Sequence, residues 1–181
     1  MEDKIILGFT GLMACGKGTA AKYLKEKYGA DTFRFSTMLR DVLDRLYLPQ
    51  SRENFQIISP LLRETFGQDL MAKVIAKDVE SADSKIIAID GMRRPADIEY
   101  LKKISGFRMV AIEVDAKVRY ERLKVRAENP GDAEKTWEQF QKEHEAETEI
   151  YIPELMKQAD VVIDNNSSLE DLYKQLDKLV N

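Results

Sequence analysis

One short stretch concentrates the residues able to do chemistry: Gly11-Leu12-Met13-Ala14-Cys15-Gly16-Lys17-Gly18-Thr19. Gly11 and Gly16 let a backbone wrap close to a ligand, where a Cβ would obstruct it. Lys17 brings a full positive charge to the same place. Such a loop binds phosphate when it opens a helix, because the first N–H groups are unpaired and the dipole favours an anion. Ala14, Cys15, Gly16, Lys17, Gly18, Thr19 and Ala20 are therefore expected around a nucleoside triphosphate, with Lys17 and the loop N–H groups on its β- and γ-phosphates. The spacing G-x4-G-K by itself says little, since it arises in roughly one chain in twenty of this length. Context carries the reading. Lys4-Ile5-Ile6-Leu7-Gly8-Phe9-Thr10 is an apolar run fit for a buried strand, and Ala20, Tyr23, Leu24 and Tyr28 recur at helical spacing until Gly29.

Other candidates lie farther along. Asp90 ends the apolar run Lys85-Ile86-Ile87-Ala88-Ile89, which places an acid at the carboxyl edge of a sheet, where ligands bind in open α/β folds. Two readings stay open for it: a carboxylate that holds Mg²⁺ together with the Thr19 hydroxyl, or a strand-end cap. The hydroxyl comes one residue late, because Gly18 follows Lys17, so direct and water-bridged metal contact are equally open. Arg93 and Arg94 follow Asp90 closely, one expected to point inward and the other out. Arg40 lies four residues before Asp44, and spacing alone makes them a helix-surface pair. Arg119, Arg122 and Arg126 share a stripe of one helix, to be answered by a carboxylate from elsewhere or by a phosphate. Cys15 needs no role as a nucleophile, His144 reads as solvated, and Trp137 with Phe140 reads as packing.

Strand and helix patterns alternate, which points to a parallel sheet covered on both faces. The strands are expected near 4–10, 32–35, 85–90, 107–114 and 159–164. Ser36 is expected to cap a helix bearing Leu39, Val42, Leu43 and Leu46. A helical region follows, with Ser59-Pro60 as a fresh start, a stop at Gly67, and Asp69 capping a helix with Met71, Val74, Ile75 and Val79. About fifty residues thus separate the second strand from the third, too many for one crossover, so residues 36–80 read as a helical insertion over the sheet edge. Pro95 opens a helix that Gly106 closes, and Asp115 caps another running to about Ala127. Asn129-Pro130-Gly131-Asp132 is the strongest turn signal. A polar helix is expected over 134–150, broken at Pro153. Ser167 with Glu170 reads as the capping box of a final helix.

The 181 residues suit one domain with a core that needs no disulfide. A net charge of −4 argues against general nucleic-acid or membrane binding. The single Cys excludes an internal disulfide and suits a reducing compartment. Met1-Glu2-Asp3-Lys4 does not resemble a secretory leader, and no apolar run approaches membrane-spanning length. A cytoplasmic protein, monomer or homodimer, with small-molecule partners is the expectation.

The form G-x4-G-K-G-T resembles adenylate kinase and its nucleoside monophosphate kinase relatives. Ile89-Asp90-Gly91-Met92-Arg93 is similar to their D-G-x-x-R segment, and also to the D-x-R segment of deoxynucleoside monophosphate and phosphomevalonate kinases. Ser36-Thr37-Met38-Leu39-Arg40 is similar to the start of their monophosphate-binding helix. The chain also looks like the kinase-like proteins grouped near dephospho-CoA kinase, through Asp-Gly-x-Arg and Ala-Asp-x-x-Ile-x-Asn. These resemblances imply a three-layer α/β/α P-loop NTPase fold with a five-stranded parallel sheet. They imply an acceptor-binding insertion at 36–80 and a short lid at about 127–137. They imply ATP and Mg²⁺, with Arg40 and Arg93 on the acceptor phosphate and Arg122 and Arg126 on the migrating group. Arg63 is a further candidate acceptor contact, Lys135 and Lys142 are the cations after the lid, and Asn165 lies against adenine. Kinases of another small acceptor such as dephospho-CoA, and a P-loop ATPase or nucleotide-binding assembly factor, are the alternatives.

Overall fold

The computed structural model describes residues 4–126, 132–143 and 150–181. Five strands, β1 (Ile5–Thr10), β2 (Asp31–Arg34), β3 (Ile86–Asp90), β4 (Phe107–Glu113) and β5 (Val161–Asp164), form one parallel sheet in the order β2-β3-β1-β4-β5. β1 lies at the centre and is buried on both faces, which is why its sequence is a continuous apolar run rather than an alternating one. After β3 the chain crosses to the other side of β1, so the carboxyl ends of β1, β3 and β4 border one crevice, the usual ligand position in such a sheet.

Side-chain alternation along the strands divides the core in two. Leu7, Phe9, Val110 and Ile112 face α1 (Lys17–Tyr28) and α9 (Leu169–Val180), meeting Ala20, Leu24, Leu172 and Leu176. Ile6, Ile87, Ile89 and Met109 face the other way. They pack with α2 (Thr37–Arg45), α3 (Arg52–Phe66), α4 (Leu70–Ser81), α5 (Pro95–Ile98) and α8 (Ile152–Lys157), through Leu39, Leu43, Ile58, Met71, Ile75, Val79, Ile98 and Leu155. Two further helices, α6 (Ala116–Arg126) and α7 (Trp137–Glu143), complete the described elements.

Several local expectations give way to packing. Ser59-Pro60 does not restart a helix: α3 runs through Pro60, and its cap is Ser51, whose Oγ accepts from the Asn54 N–H at 3.2 Å. Pro60 costs the donor that would have met Gln56. The inward stripe of Phe55, Ile58 and Leu62 carries the helix across that gap. Ser36 and Asp69 stand at helix starts without capping through their side chains. Pro95 opens only one turn, followed by a 3₁₀ turn at Leu101–Lys103. Pro153 does not break a helix but sits in the first turn of α8, where a missing N–H is harmless. The last helix is capped by Ser168 rather than Ser167, with Oγ accepting from the Asp171 N–H. The expected turn at Asn129-Pro130-Gly131, His144 and most of the acidic run 143–149 lie outside the described residues.

A polar clamp fastens α1 to α9. Asp177 accepts from the Tyr23 and Tyr28 hydroxyls at 2.7 Å and from Lys27 Nζ at 2.8 Å, while the Tyr23 and Tyr173 rings stack at 3.9 Å. The Lys27 ammonium, then the two tyrosine hydroxyls, hold the Asp177 carboxyl down at about 2, against an ordinary 3.8. Because the folded value lies below the unfolded one, this carboxylate stabilises the fold above roughly pH 4. That contribution should fade as pH falls from about 4 towards about 2. Denaturant unfolding of wild type and Asp177→Asn across that window checks it: wild type should lose stability on acidification more steeply than the variant. Parallel curves would show that the clamp is not the source.

Candidate nucleotide site

The loop between β1 and α1 has the backbone of a cradle. Gly11, Ala14 and Gly16 all have positive φ, at 145°, 60° and 106°, and Cys15 N–H closes a turn on Leu12 O at 3.2 Å. A methyl group on Gly16 would lie 2.6 Å from Asn165 Nδ2, and one on Gly11 would lie 2.7 Å from both Cys15 Sγ and Ile112 O. Both positions therefore exclude any side chain. Gly16 starts α1 without a side-chain cap, and the first turn holds no acid. The N–H groups of Lys17, Gly18 and Thr19 are left for a ligand, at the positive end of a twelve-residue helix.

Lys17 Nζ lies inside this ring, 2.6 Å from Gly11 O and 3.2 Å from Leu12 O. Cys15 is 1 % exposed and packs in the core, with its Sγ accepting from Lys17 Nζ at 3.5 Å. Ala20 is fully buried, and its N–H already closes on Gly16 O at 2.9 Å. Thr19 is exposed at the cradle's rim. Asn165 holds the loop from behind: its Nδ2 donates to Cys15 O at 2.9 Å and its own N–H to Glu113 O at 2.9 Å. Its side chain is thus engaged with the loop, where the resemblance set it against adenine. Its Oδ1 is buried without a partner.

Around the cradle the expected cations separate. Arg119 is 4 % exposed and donates to Val114 O and to Met13 O of the loop, with its guanidinium 5.4 Å from the Phe140 ring. Arg122 reaches Ser167 O at 3.5 Å and keeps a buried Nη1 without a partner. Arg126 ends α6, exposed. Backbone carbonyls are thus among the partners of the inner part of this stripe, which was expected to meet a carboxylate from elsewhere or a phosphate. Lys135 pairs with the buried Asp132 at 3.1 Å, so it braces the segment before α7. Trp137 and Phe140 stack at 5.6 Å and meet Tyr120, the packing role expected of them. Beside the loop opens a pocket of about 250 Å³, lined by Leu12, Ile112, Asp115, Arg119, Met156 and Asn166 among others.

On the opposite side, Arg40 lies in the first turns of α2 with Nη1 2.6 Å from Gln50 Oε1 and its guanidinium 5.0 Å from the Phe55 ring. Gln50 Nε2 in turn donates to Asp44 at 2.7 Å. The helix-surface pair suggested by spacing is therefore interrupted by an amide. Arg93 is exposed, and its N–H and that of Arg94 both donate to Asp97 Oδ2, at 2.9 and 3.0 Å. Arg63, a candidate acceptor contact, is instead 9 % exposed, with contacts to Gln68 O, Met71 Sδ and, at 3.8 Å, Asp97 Oδ1. Burial pushes the Asp97 carboxyl up and the Arg63 guanidinium down, and each charge partly offsets the other's shift.

Asp90 closes β3 with one carboxylate oxygen buried and unpartnered and the other 3.8 Å from Arg34 Nε. A buried oxygen without a donor is what a cation site needs, so Asp90 would fit Mg²⁺. Among the described residues, no group of three or more His, Cys, Asp or Glu side chains could hold a metal ion. No described helix is long and apolar enough to cross a membrane.

Sheet order, cradle and strand-end acid together define a P-loop protein of kinase-like fold. The chain belongs to the AAA_17 family of AAA domains, whose model matches residues 10–141, and to the UPF0200 proteins. It is 30% identical over 177 residues to the UPF0200 protein of Sulfurisphaera tokodaii, covering 97% of this chain and 95% of that one. A UPF0200 protein of Pyrococcus abyssi is 26% identical over 181 residues, with 97% and 95% covered. Among solved structures, a shikimate kinase from Bacteroides thetaiotaomicron superposes with a TM-score of 0.62 at 14% identity, covering 97% and 96%. Another from Acinetobacter baumannii, in complex with shikimate, gives 0.58 at 15% identity, covering 99% and 94%. These structural likenesses show the fold. The family and its relatives carry no name specific to nucleoside monophosphate kinases.

Proposed function

We propose that this protein transfers the γ-phosphoryl group of ATP to a nucleoside or deoxynucleoside monophosphate in the cytoplasm, giving ADP and the acceptor's diphosphate. The observation that carries the donor half is the uncapped start of α1, with Lys17 held inside the loop's carbonyls. Such a transfer needs alignment and charge neutralisation more than covalent chemistry. Lys17 and the loop N–H groups hold the β- and γ-phosphates. Arg122 and Arg126 close on the migrating group, and Asp90 with Thr19 holds Mg²⁺, which neutralises charge on the phosphates. Arg40 and Arg93 receive the acceptor's phosphate, whose ionised oxygen attacks without a general base.

A second reading, a hydroxyl-bearing acceptor such as dephospho-CoA, is favoured by one feature. The unpartnered Asp90 oxygen at the sheet edge is able to accept a hydroxyl proton. A coupled assay of ADP formation across all ribo- and deoxynucleoside monophosphates, with dephospho-CoA included, separates the two. Turnover with none of them would leave a nucleotide-dependent switch or assembly factor. With the best acceptor in hand, Arg40→Ala should raise its KM by about ten- to a hundredfold, the value of a charge-assisted contact, while ATP affinity holds. A fall in ATP affinity instead would show that donor and acceptor sides have been exchanged.

A further inference from the structure

Nothing in Thr32-Phe33-Arg34-Phe35 singles out Arg34 as more than the end of an edge strand. The sheet gives it a different setting. β2 pairs with β3 so that Arg34 stands directly beside Asp90, although more than fifty residues separate them. Its side chain turns towards the cradle as well: a methyl group on Gly18 would lie 3.9 Å from Arg34 Nη2. The guanidinium therefore spans the gap between the strand-end acid and the first turn of α1. It is held there loosely, with Nε 3.8 Å from Asp90 Oδ2 and the side chain 54% exposed. Among the described residues no acceptor lies within hydrogen-bond distance of its donors.

We propose that Arg34 is a further cation of the phosphate site, contacting the terminal phosphates of the bound nucleotide. The position after the loop lysine is a Ser or Thr in most such loops. Here it is Gly18, and the side of the cradle that it leaves bare is where Arg34 reaches. A planar fork of donors suits phosphate oxygens, which accept in pairs at the geometry a guanidinium offers. Gly18 places no side chain in that approach, where an added methyl would just touch Arg34 Nη2 at 3.9 Å. A positive charge would thus stand beside the strand-end acid, on the side of the loop that Gly18 leaves bare. This inference rests on the loop being a nucleotide site, but not on which acceptor is used.

Equilibrium binding of ATP, ADP and AMP, measured by calorimetry in EDTA, tests it. Arg34→Ala should weaken ATP and ADP by about tenfold or more and leave AMP within twofold, with Arg34→Lys recovering part of the loss. Thermal melting of both variants should match wild type, because the side chain is largely exposed. ATP and ADP affinities unchanged in Arg34→Ala would overturn the proposal, including the case in which only an acceptor's KM rises. An equal loss for AMP would overturn it too, since the contact would then not be with the terminal phosphates. Lys17→Ala run alongside separates the two levels of the argument. If it weakens ATP and Arg34→Ala does not, Arg34 fails and the loop stands; if neither does, the loop reading itself falls.

Discussion

Replacing Lys17 with alanine should cut phosphoryl transfer by about 10²–10³-fold, the usual effect of deleting one pre-placed donor to developing phosphate charge. The expectation comes from where the lysine is held. Its ammonium lies between Gly11 O and Leu12 O at 2.6 and 3.2 Å, inside a ring whose backbone is set by the glycines on either side. Among the loop's own residues from Gly11 to Thr19, Lys17 is the one that carries a full charge. The same placement predicts a small effect on the fold: Lys17 is half-buried, and its contacts are all within the loop itself. Turnover measured beside a thermal melt decides the matter. A large loss of rate with an unchanged melt supports the catalytic role, and an undiminished rate would remove it.

The second large effect concerns stability. Arg63→Ala should cost about 3–5 kcal/mol, because it removes the larger of the two positive charges that offset the burial of the Asp97 carboxylate, Arg94 being the smaller. For a chain of this size that corresponds to a melting point lower by about ten degrees. Asp97 is 3 % exposed, with one oxygen on the Arg93 and Arg94 N–H groups and the other facing Arg63. The pair therefore joins α3 to the turn that carries Arg93 and Arg94. The sign of its pH response is the reverse of the Asp177 clamp. A carboxyl whose folded pKa is raised gives stability below its unfolded value and loses it as pH climbs. Arg63→Ala should thus recover stability towards pH 4, and the double substitution Arg63→Met with Asp97→Leu should recover much of it at pH 7. Denaturant midpoints would settle both, and a cost under about 1 kcal/mol for Arg63→Ala would mean that the pair is not needed.

The features legible in the sequence were those set by neighbours along the chain. The cradle could be read because strand, glycines, lysine and helix are contiguous, and so could the parallel sheet, since each strand is its own apolar run. What escaped depends on contacts between distant segments. Arg34 reaches the site only because β2 pairs with a strand that follows three helices later. Arg63 reads in the sequence only as a further candidate acceptor contact, and its burial against Asp97 depends on tertiary placement. Asn165 showed a short polar residue in a connecting loop, with nothing to say that its amide would reach back to Cys15. At Ser59-Pro60 a true local signal was present but was outweighed by the packing of the helix through it.

If Arg40 receives the acceptor's phosphate as proposed, the amide between it and Asp44 bears on how much work that capture takes. Because Gln50 is neutral, an arriving dianion displaces a dipole from the guanidinium rather than prising apart two opposite charges, so little electrostatic work stands in its way. Asp44 meanwhile keeps its own donor and does not compete. The arginine is thus stored in an orderly but lightly latched state, suited to repeated capture and release.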